Sequence, residues 1–176
     1  VFGSGSYTYY SPAWVTEYAN MYSAEAGSHE IGHNLGLSHD GSTADGAYYK
    51  GHVIASGSSY TWNAIMGGGV TPDISQWSKG EYYQSTNTED DLAILSAKLP
   101  YRTDDAGNTN GTATALGISG VNINQTGIIE RNTDVDVWSF TSGTGSITIN
   151  ATTYRYNSSD WGANLDMKLE LYDSGG

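Results

Sequence analysis

Three of the four histidines in this 176-residue chain fall within eleven residues. His29 and His33 are four positions apart, which places both on one face of a helix, where their imidazoles can reach one metal ion at about 2.0–2.1 Å. Gly36 supplies a left-handed turn by which the chain can leave the helix and bring His39 back to the same ion. Three neutral imidazoles with one open position are typical of a catalytic zinc site rather than a closed structural one.

Glu30 follows His29 but projects about 100° away around the helix, so it is poorly placed as a third ligand and can instead hold a metal-bound water. The string His-Glu-x-x-His-x-x-Gly-x-x-His has five fixed residues and would arise by chance in roughly one of 10⁵ chains of this composition. A structural zinc site is the alternative, although it would not require Glu30. Gly32 costs the helix about 1 kcal/mol relative to Ala, which indicates close packing there. His52 is expected to be a loop histidine rather than a fourth ligand.

Two helices are predicted around these residues. The first covers about residues 20–35, ends at Gly36 and carries the histidine pair. The second covers about residues 88–98, because N-capping and acidic residues precede it and Pro100 stops it. Its apolar face consists of Leu92, Leu95 and Leu99.

The composition changes near Pro100, and residues 103–113 form a polar, turn-rich connector. Apolar and polar residues then alternate over 147–151 and 165–171, a pattern typical of half-buried strands in an antiparallel β-sandwich. Only about four or five strands are recognisable where a sandwich needs about seven, so we expect this sandwich to be incomplete at its C-terminus. The predicted domains are residues 1–102 and residues 103–176.

Composition excludes several functions. The chain has no cysteine, which excludes disulfides, Cys-ligated zinc and thiol nucleophiles. A net charge of −12 makes it a poor partner for nucleic acid and for anionic membrane surfaces. No run of 18 apolar residues exists, so no transmembrane helix is predicted. The composition is typical of a soluble, secreted protein, and it does not indicate an oligomeric state.

Met66 lies in a glycine-rich turn, 27 residues beyond His39. A lone Met is more often core filler, but together with the extended histidine string this turn resembles the Met-turn of the metzincin zinc peptidases. Asp40, directly after the third histidine, makes the string similar to the adamalysin/reprolysin branch. The resemblance is specific over residues 23–69 and extends more weakly to the helix at 88–98.

The resemblance implies an α+β catalytic domain of a bacterial, secreted zinc endopeptidase (a hydrolase) that acts on protein or peptide substrates. Carried over position by position, it makes His29, His33 and His39 the zinc ligands, Glu30 the general base, Met66 the residue beneath the metal, and Asp40 a structural residue. Position 68 is Gly where astacins and serralysins carry Tyr, so no tyrosine switch is expected. Tyr48 could line the cleft, although aromatic packing explains it equally well.

Only 28 residues precede His29, too few for the sheet that metzincins place upstream. We therefore expect a catalytic domain truncated at its N-terminus, with a substrate-aligning edge strand within residues 5–10.

The region from about 104 to 176 resembles the bacterial pre-peptidase C-terminal domain (PPC-like). The resemblance is carried by residues 104–109, 127–130, 134–140 and 165–173. Asp134 and Asp136 could bind calcium, and solvated acids on a strand face are the alternative. The rival function for the whole chain is a secreted binding or adhesion module with a non-catalytic zinc site. Glu30 and the open coordination position argue against it.

Overall fold

The computed structural model describes Val15 and residues 20–69, 72–117, 121–154 and 165–175. These residues form a small mixed α/β structure with short strands. The elements in chain order are α1 (Asn20–Asn34), β1 (His52–Val53), β2 (Thr61–Ala64), β3 (Ile74–Gln76), α2 (Asp91–Ser96), a 3-10 turn (Asn110–Thr112), β4 (Thr114–Ala115) and β5 (Trp138–Ser139). The edge strand expected within residues 5–10 lies outside the described residues.

The contacts of the chain separate it into two units. The first unit comprises the described residues of Val1–Leu99 and Thr153–Leu165. The second comprises the described residues of Pro100–Thr152 and Asp166–Gly176. Neither α1 nor α2 has the length and apolar character that a membrane-crossing helix needs, and this statement covers only the described residues.

α1 matches the helix predicted over residues 20–35, and it ends in a Schellman motif. Gly36 has φ = 100°. Its N–H donates to the carbonyl of His33 at 2.9 Å, and the N–H of Leu37 donates to the carbonyl of Gly32 at 3.0 Å. A left-handed residue followed by this pair of hydrogen bonds is the standard way to satisfy the last carbonyls of a helix, and Gly adopts it without a Cβ penalty. The chain therefore reverses directly after the histidine pair.

A three-stranded sheet follows α1 in the first unit. β2 is central, antiparallel to β1 with His52 opposite Trp62, and parallel to β3 with Trp62 opposite Ile74. The rings of Tyr49 and Tyr82 stack at 4.4 Å between centroids, and both pack with the buried Ala64 of β2. Because β2 ends two residues before Met66, this small core fixes the position of the Met66 turn.

α2 is shorter than the predicted helix over residues 88–98. It begins after Asp90, whose side chain accepts a hydrogen bond from the N–H of Ala93 at 2.9 Å. An N-cap residue is extended and not helical, so Asp90, the second of three consecutive acids, sets the start of the helix at Asp91. At the other end, the N–H of Lys98 donates to the carbonyl of Leu95 at 3.0 Å. This three-residue spacing tightens the final turn and ends the helical segment before Pro100.

The second unit contains little regular structure. β4 and β5 pair in parallel, with Thr114 opposite Trp138, and Gly107 forms an antiparallel bridge with Val137. Among the described residues, 145–152 and 165–171 contain no strand, and Ile147 and Leu169 are exposed. An alternating segment becomes a strand only when a neighbour pairs with it and covers its apolar face. The antiparallel β-sandwich stays a prediction.

Candidate metal centre

α1 and the turn after it bring three imidazoles together. One ring nitrogen from each of His29, His33 and His39 lies within 4.8 Å of the other two, and all three residues are partly buried. The Nε2 atoms of His33 and His39 are 2.9 Å apart. The residues that the sequence spacing predicts as zinc ligands therefore converge on one point.

Backbone carbonyls hold two of the three rings. His29 Nδ1 lies 2.8 Å from the carbonyl oxygen of Ile65, and His33 Nδ1 lies 2.9 Å from that of Leu37. A carbonyl oxygen can only accept, so each Nδ1 carries the proton and each Nε2 keeps its lone pair. This is the tautomer and the outer hydrogen bond that metal-ligating histidines use. An all-imidazole donor set suits zinc, and these residues therefore fit that metal.

The electrostatics of the centre favour neutral imidazoles. Burial lowers the pKa of His29 and of His39, and the nearby His33 lowers both further. The hydrogen bond to Ile65 opposes this effect at His29. The negative charge of Glu30 also raises the pKa of His29 and His39, so its carboxylate acts on the same site. Neutral rings are the metal-binding form, since a ligand nitrogen must be free of its proton.

Met66 packs against the backbone of α1. It is fully buried. A Cβ atom at Gly32 would lie 2.5 Å from Met66 Sδ, 3.2 Å from the Trp77 ring and 3.3 Å from Leu37. The sequence indicated close packing at Gly32. The structure shows that the residue packed there is Met66.

Asp40 is also fully buried and ties several segments to the site. Its carboxylate accepts from Ser78 Oγ at 2.8 Å and lies 3.2 Å from the Tyr82 hydroxyl. Its backbone N–H donates to the Met66 carbonyl at 2.8 Å, and its own carbonyl accepts from Tyr49 N–H at 2.7 Å. Burial raises the pKa of Asp40, and the hydrogen bonds from Ser78 and Tyr82 oppose that shift. Asp40 therefore anchors the chain next to His39.

Tyr48 is a neighbour of the centre that the sequence left undecided. Its ring centroid lies 4.1 Å from that of His39, and its ring stacks toward His29 at 6.4 Å. A Cβ atom at Gly68 would lie 2.9–3.1 Å from Tyr48 side-chain atoms. The glycine at position 68 therefore makes room for a tyrosine that comes from another part of the chain. The sequence contains both Tyr48 and Gly68, but no spacing rule predicts that these two residues come into contact.

His52 lies apart from the three other histidines. It is exposed in β1 rather than in a loop, and its Nδ1 is 2.8 Å from the Tyr49 hydroxyl. Within the described residues, no fourth His, Asp or Glu joins His29, His33 and His39.

No protein-family model, curated protein or solved structure gives a significant match to this chain.

Proposed function

We propose that this chain is the catalytic region of a zinc-dependent endopeptidase that hydrolyses peptide bonds of extracellular proteins. The observation that supports this proposal is the convergence of His29, His33 and His39, with the Nδ1 atoms of the first two engaged by carbonyls. These three residues would hold the metal. When bound, zinc acidifies water and polarises the carbonyl of the scissile bond.

Glu30 supplies the proton transfer. Its carboxylate takes a proton from the attacking water and later delivers it to the leaving amine. It is suited to this role because it follows a ligand on α1 and points about 100° away from it. Its charge also acts on both His29 and His39.

The residues around the three histidines orient their rings. The carbonyls of Ile65 and Leu37 fix two rings, and Met66 and Asp40 fix the segments that carry those carbonyls and His39. A closed structural site would use four protein ligands. Three histidines with a neighbouring glutamate, and no fourth ligand among the described residues, favour hydrolysis.

The domain assignments belong to the same proposal. Residues 1–102 would be a metzincin-like catalytic region, and residues 103–176 a PPC-like accessory domain of a secreted bacterial enzyme. The net charge of −12 and the absence of cysteine are compatible with work outside the cell.

The decisive experiment measures zinc content and cleavage of casein or gelatin in the full-length protein, with and without a chelator. Glu30→Gln should keep one zinc per chain and lose about 10²–10⁴-fold in kcat, since it removes the proton carrier and none of the ligands. Glu81→Gln is the matched control, because it makes the same change at an exposed glutamate of the first unit that is paired with Lys79 and not with the histidines.

Two outcomes would overturn the proposal. A wild-type protein that binds zinc and cleaves no peptide bond would favour the adhesion module. A Glu30→Gln variant that cleaves at the wild-type rate would remove Glu30 from the mechanism.

A further inference from the structure

Five acidic side chains gather in the second unit, away from the histidines in sequence. One carboxylate oxygen from each of Asp104, Glu130 and Asp134 lies within 4.8 Å of the other two, and the same holds for Asp104, Asp105 and Asp136. Asp104 belongs to both groups, so the two groups form one continuous acidic cluster.

The backbone builds this cluster from two segments. The N–H of Val137 donates to the carbonyl of Gly107 at 2.8 Å, which holds residues 104–107 beside Asp136. A turn returns the chain from Glu130 to Asp134, whose carboxylate accepts from the N–H of Glu130 at 3.0 Å. The carboxylates are therefore positioned by main-chain contacts and not only by flexible side chains.

Glu130 is the unusual member of the cluster. Its side chain is only 5% exposed, and neither of its carboxylate oxygens has a hydrogen-bond partner. The buried Oδ1 atom of Asp136 has none either. The positive group that approaches Glu130 is Arg102, whose Nε lies 4.0 Å from Oε1 and whose side chain is 63% exposed.

A buried, unpaired carboxylate such as that of Glu130 lowers the stability of the folded protein unless a cation neutralises it. A buried carboxylate loses its hydration and needs hydrogen bonds, a counter-ion or a metal in exchange. Here, apart from the exposed Arg102, the neighbouring charges have the same sign as Glu130. Burial, followed by close contact with the Asp134 carboxyl and the charge of Asp105, raises the pKa of Glu130. Burial, followed by the charges of Asp105 and Asp134, raises the pKa of Asp136.

We propose that this cluster is a calcium site, with Asp104, Glu130 and Asp134 as ligands and Asp105 and Asp136 completing the oxygen cage. The donors are all carboxylate oxygens, which are the ligands of hard cations. They come from separate turns, and calcium accepts six to eight oxygens in flexible geometry, whereas magnesium requires a near-ideal octahedron. Bound calcium would cancel the repulsion and link residues 104–107 to residues 130–136. The proposal does not depend on the peptidase assignment.

The test titrates calcium chloride into the zinc-loaded full-length protein in calcium-free buffer, by calorimetry and by thermal unfolding. Wild type should bind calcium saturably, and its Tm should rise by about 5 °C at a calcium concentration about 100 times Kd. Glu130→Gln should weaken binding at least about tenfold. Without calcium, the same variant should unfold at the wild-type temperature or above, because it removes a buried charge. A merely structural Glu130 would lower Tm in both conditions.

Two further variants sharpen the result. Glu170→Gln changes an exposed glutamate of the same unit, paired with Lys168 at 2.8 Å, and should leave calcium affinity unchanged. Asp104→Asn changes an exposed ligand shared by both groups, and it should weaken calcium binding even if Glu130→Gln fails to fold.

Three results would overturn the calcium site. The first is no heat and no Tm shift at millimolar calcium. The second is an equal Tm shift with magnesium chloride. The third is an equal loss of affinity in Glu170→Gln, which would indicate general charge screening. Zinc content should stay constant in every variant, so failure of this proposal and failure of the peptidase proposal are distinguishable.

Discussion

The sulfur of Met66 lies where a side chain at Gly32 would have to be, since a Cβ atom there would come within 2.5 Å of Met66 Sδ. Met66 is fully buried. The helix that carries His29 and His33 therefore rests on a methionine from a turn more than thirty residues later. The order of that turn and the orientation of the two histidines are consequently linked.

Gly32→Ala should destabilise the protein by about 1–3 kcal/mol despite the better helix propensity of Ala, because the added methyl group overpacks a buried contact. Urea unfolding measures the effect. Gly27→Ala is the matched control on the same helix, since a Cβ there meets nothing within 4 Å. It should stabilise the protein by about 0.5–1 kcal/mol. A Gly32→Ala variant as stable as Gly27→Ala would disprove the contact.

The sequence predicts the short-range part of this centre well. The spacing of His29 and His33 and the turn at Gly36 depend on helix geometry alone, and the structure shows both. The contacts of Asp40 with Ser78 and Tyr82 span 38 and 42 residues. No local rule encodes such contacts, because they depend on how the strands and loops pack.

In the second unit, the sequence pattern does not suffice to predict the strands. The alternating segment over residues 147–151 tells which side chains would share a face, but pairing decides whether a strand forms. No partner pairs with this segment among the described residues, so its apolar side chains stay exposed.

Tyr48 should support His39 through its ring and not through its hydroxyl. The two ring centroids are 4.1 Å apart. Tyr48→Ala should lower zinc affinity about tenfold, since it leaves a ligand ring without packing. Tyr48→Phe keeps the ring and should retain wild-type affinity. Competition with a chromogenic chelator measures both variants. Equal losses in the two variants would show that the hydroxyl matters instead.

His33 and His52 should separate the metal centre from the other histidine. His33→Ala removes a convergent nitrogen and should reduce zinc affinity by at least about 100-fold. His52→Ala changes an exposed histidine that contacts Tyr49, and it should keep one zinc per chain. Metal analysis after dialysis measures both variants. Zinc loss in His52→Ala comparable to that in His33→Ala would place the metal elsewhere.

Asp91 should make the protein less stable as pH rises toward neutrality. Its side chain is fully buried, and Oδ2 accepts from the N–H of Ser78 at 2.9 Å while Oδ1 has no partner. Burial, followed by the charge of Asp40, raises the pKa of Asp91 to about 7. The folded protein therefore holds a proton that the unfolded chain releases near pH 3.8. The resulting stabilisation is complete below pH 3.8 and disappears as pH approaches 7, a contribution of up to about 4 kcal/mol.

Asp91→Asn keeps an acceptor for Ser78 and removes the titration, so its stability advantage over wild type should grow between pH 4 and pH 7. Urea unfolding of both proteins at several pH values measures this difference, and the subtraction cancels the shared groups that do not interact with Asp91. Glu81→Gln, an exposed acid, should track wild type throughout. A constant stability difference between Asp91→Asn and wild type across this range would show that Asp91 is already ionised in the folded protein. Its buried charge would then require an Arg or Lys partner.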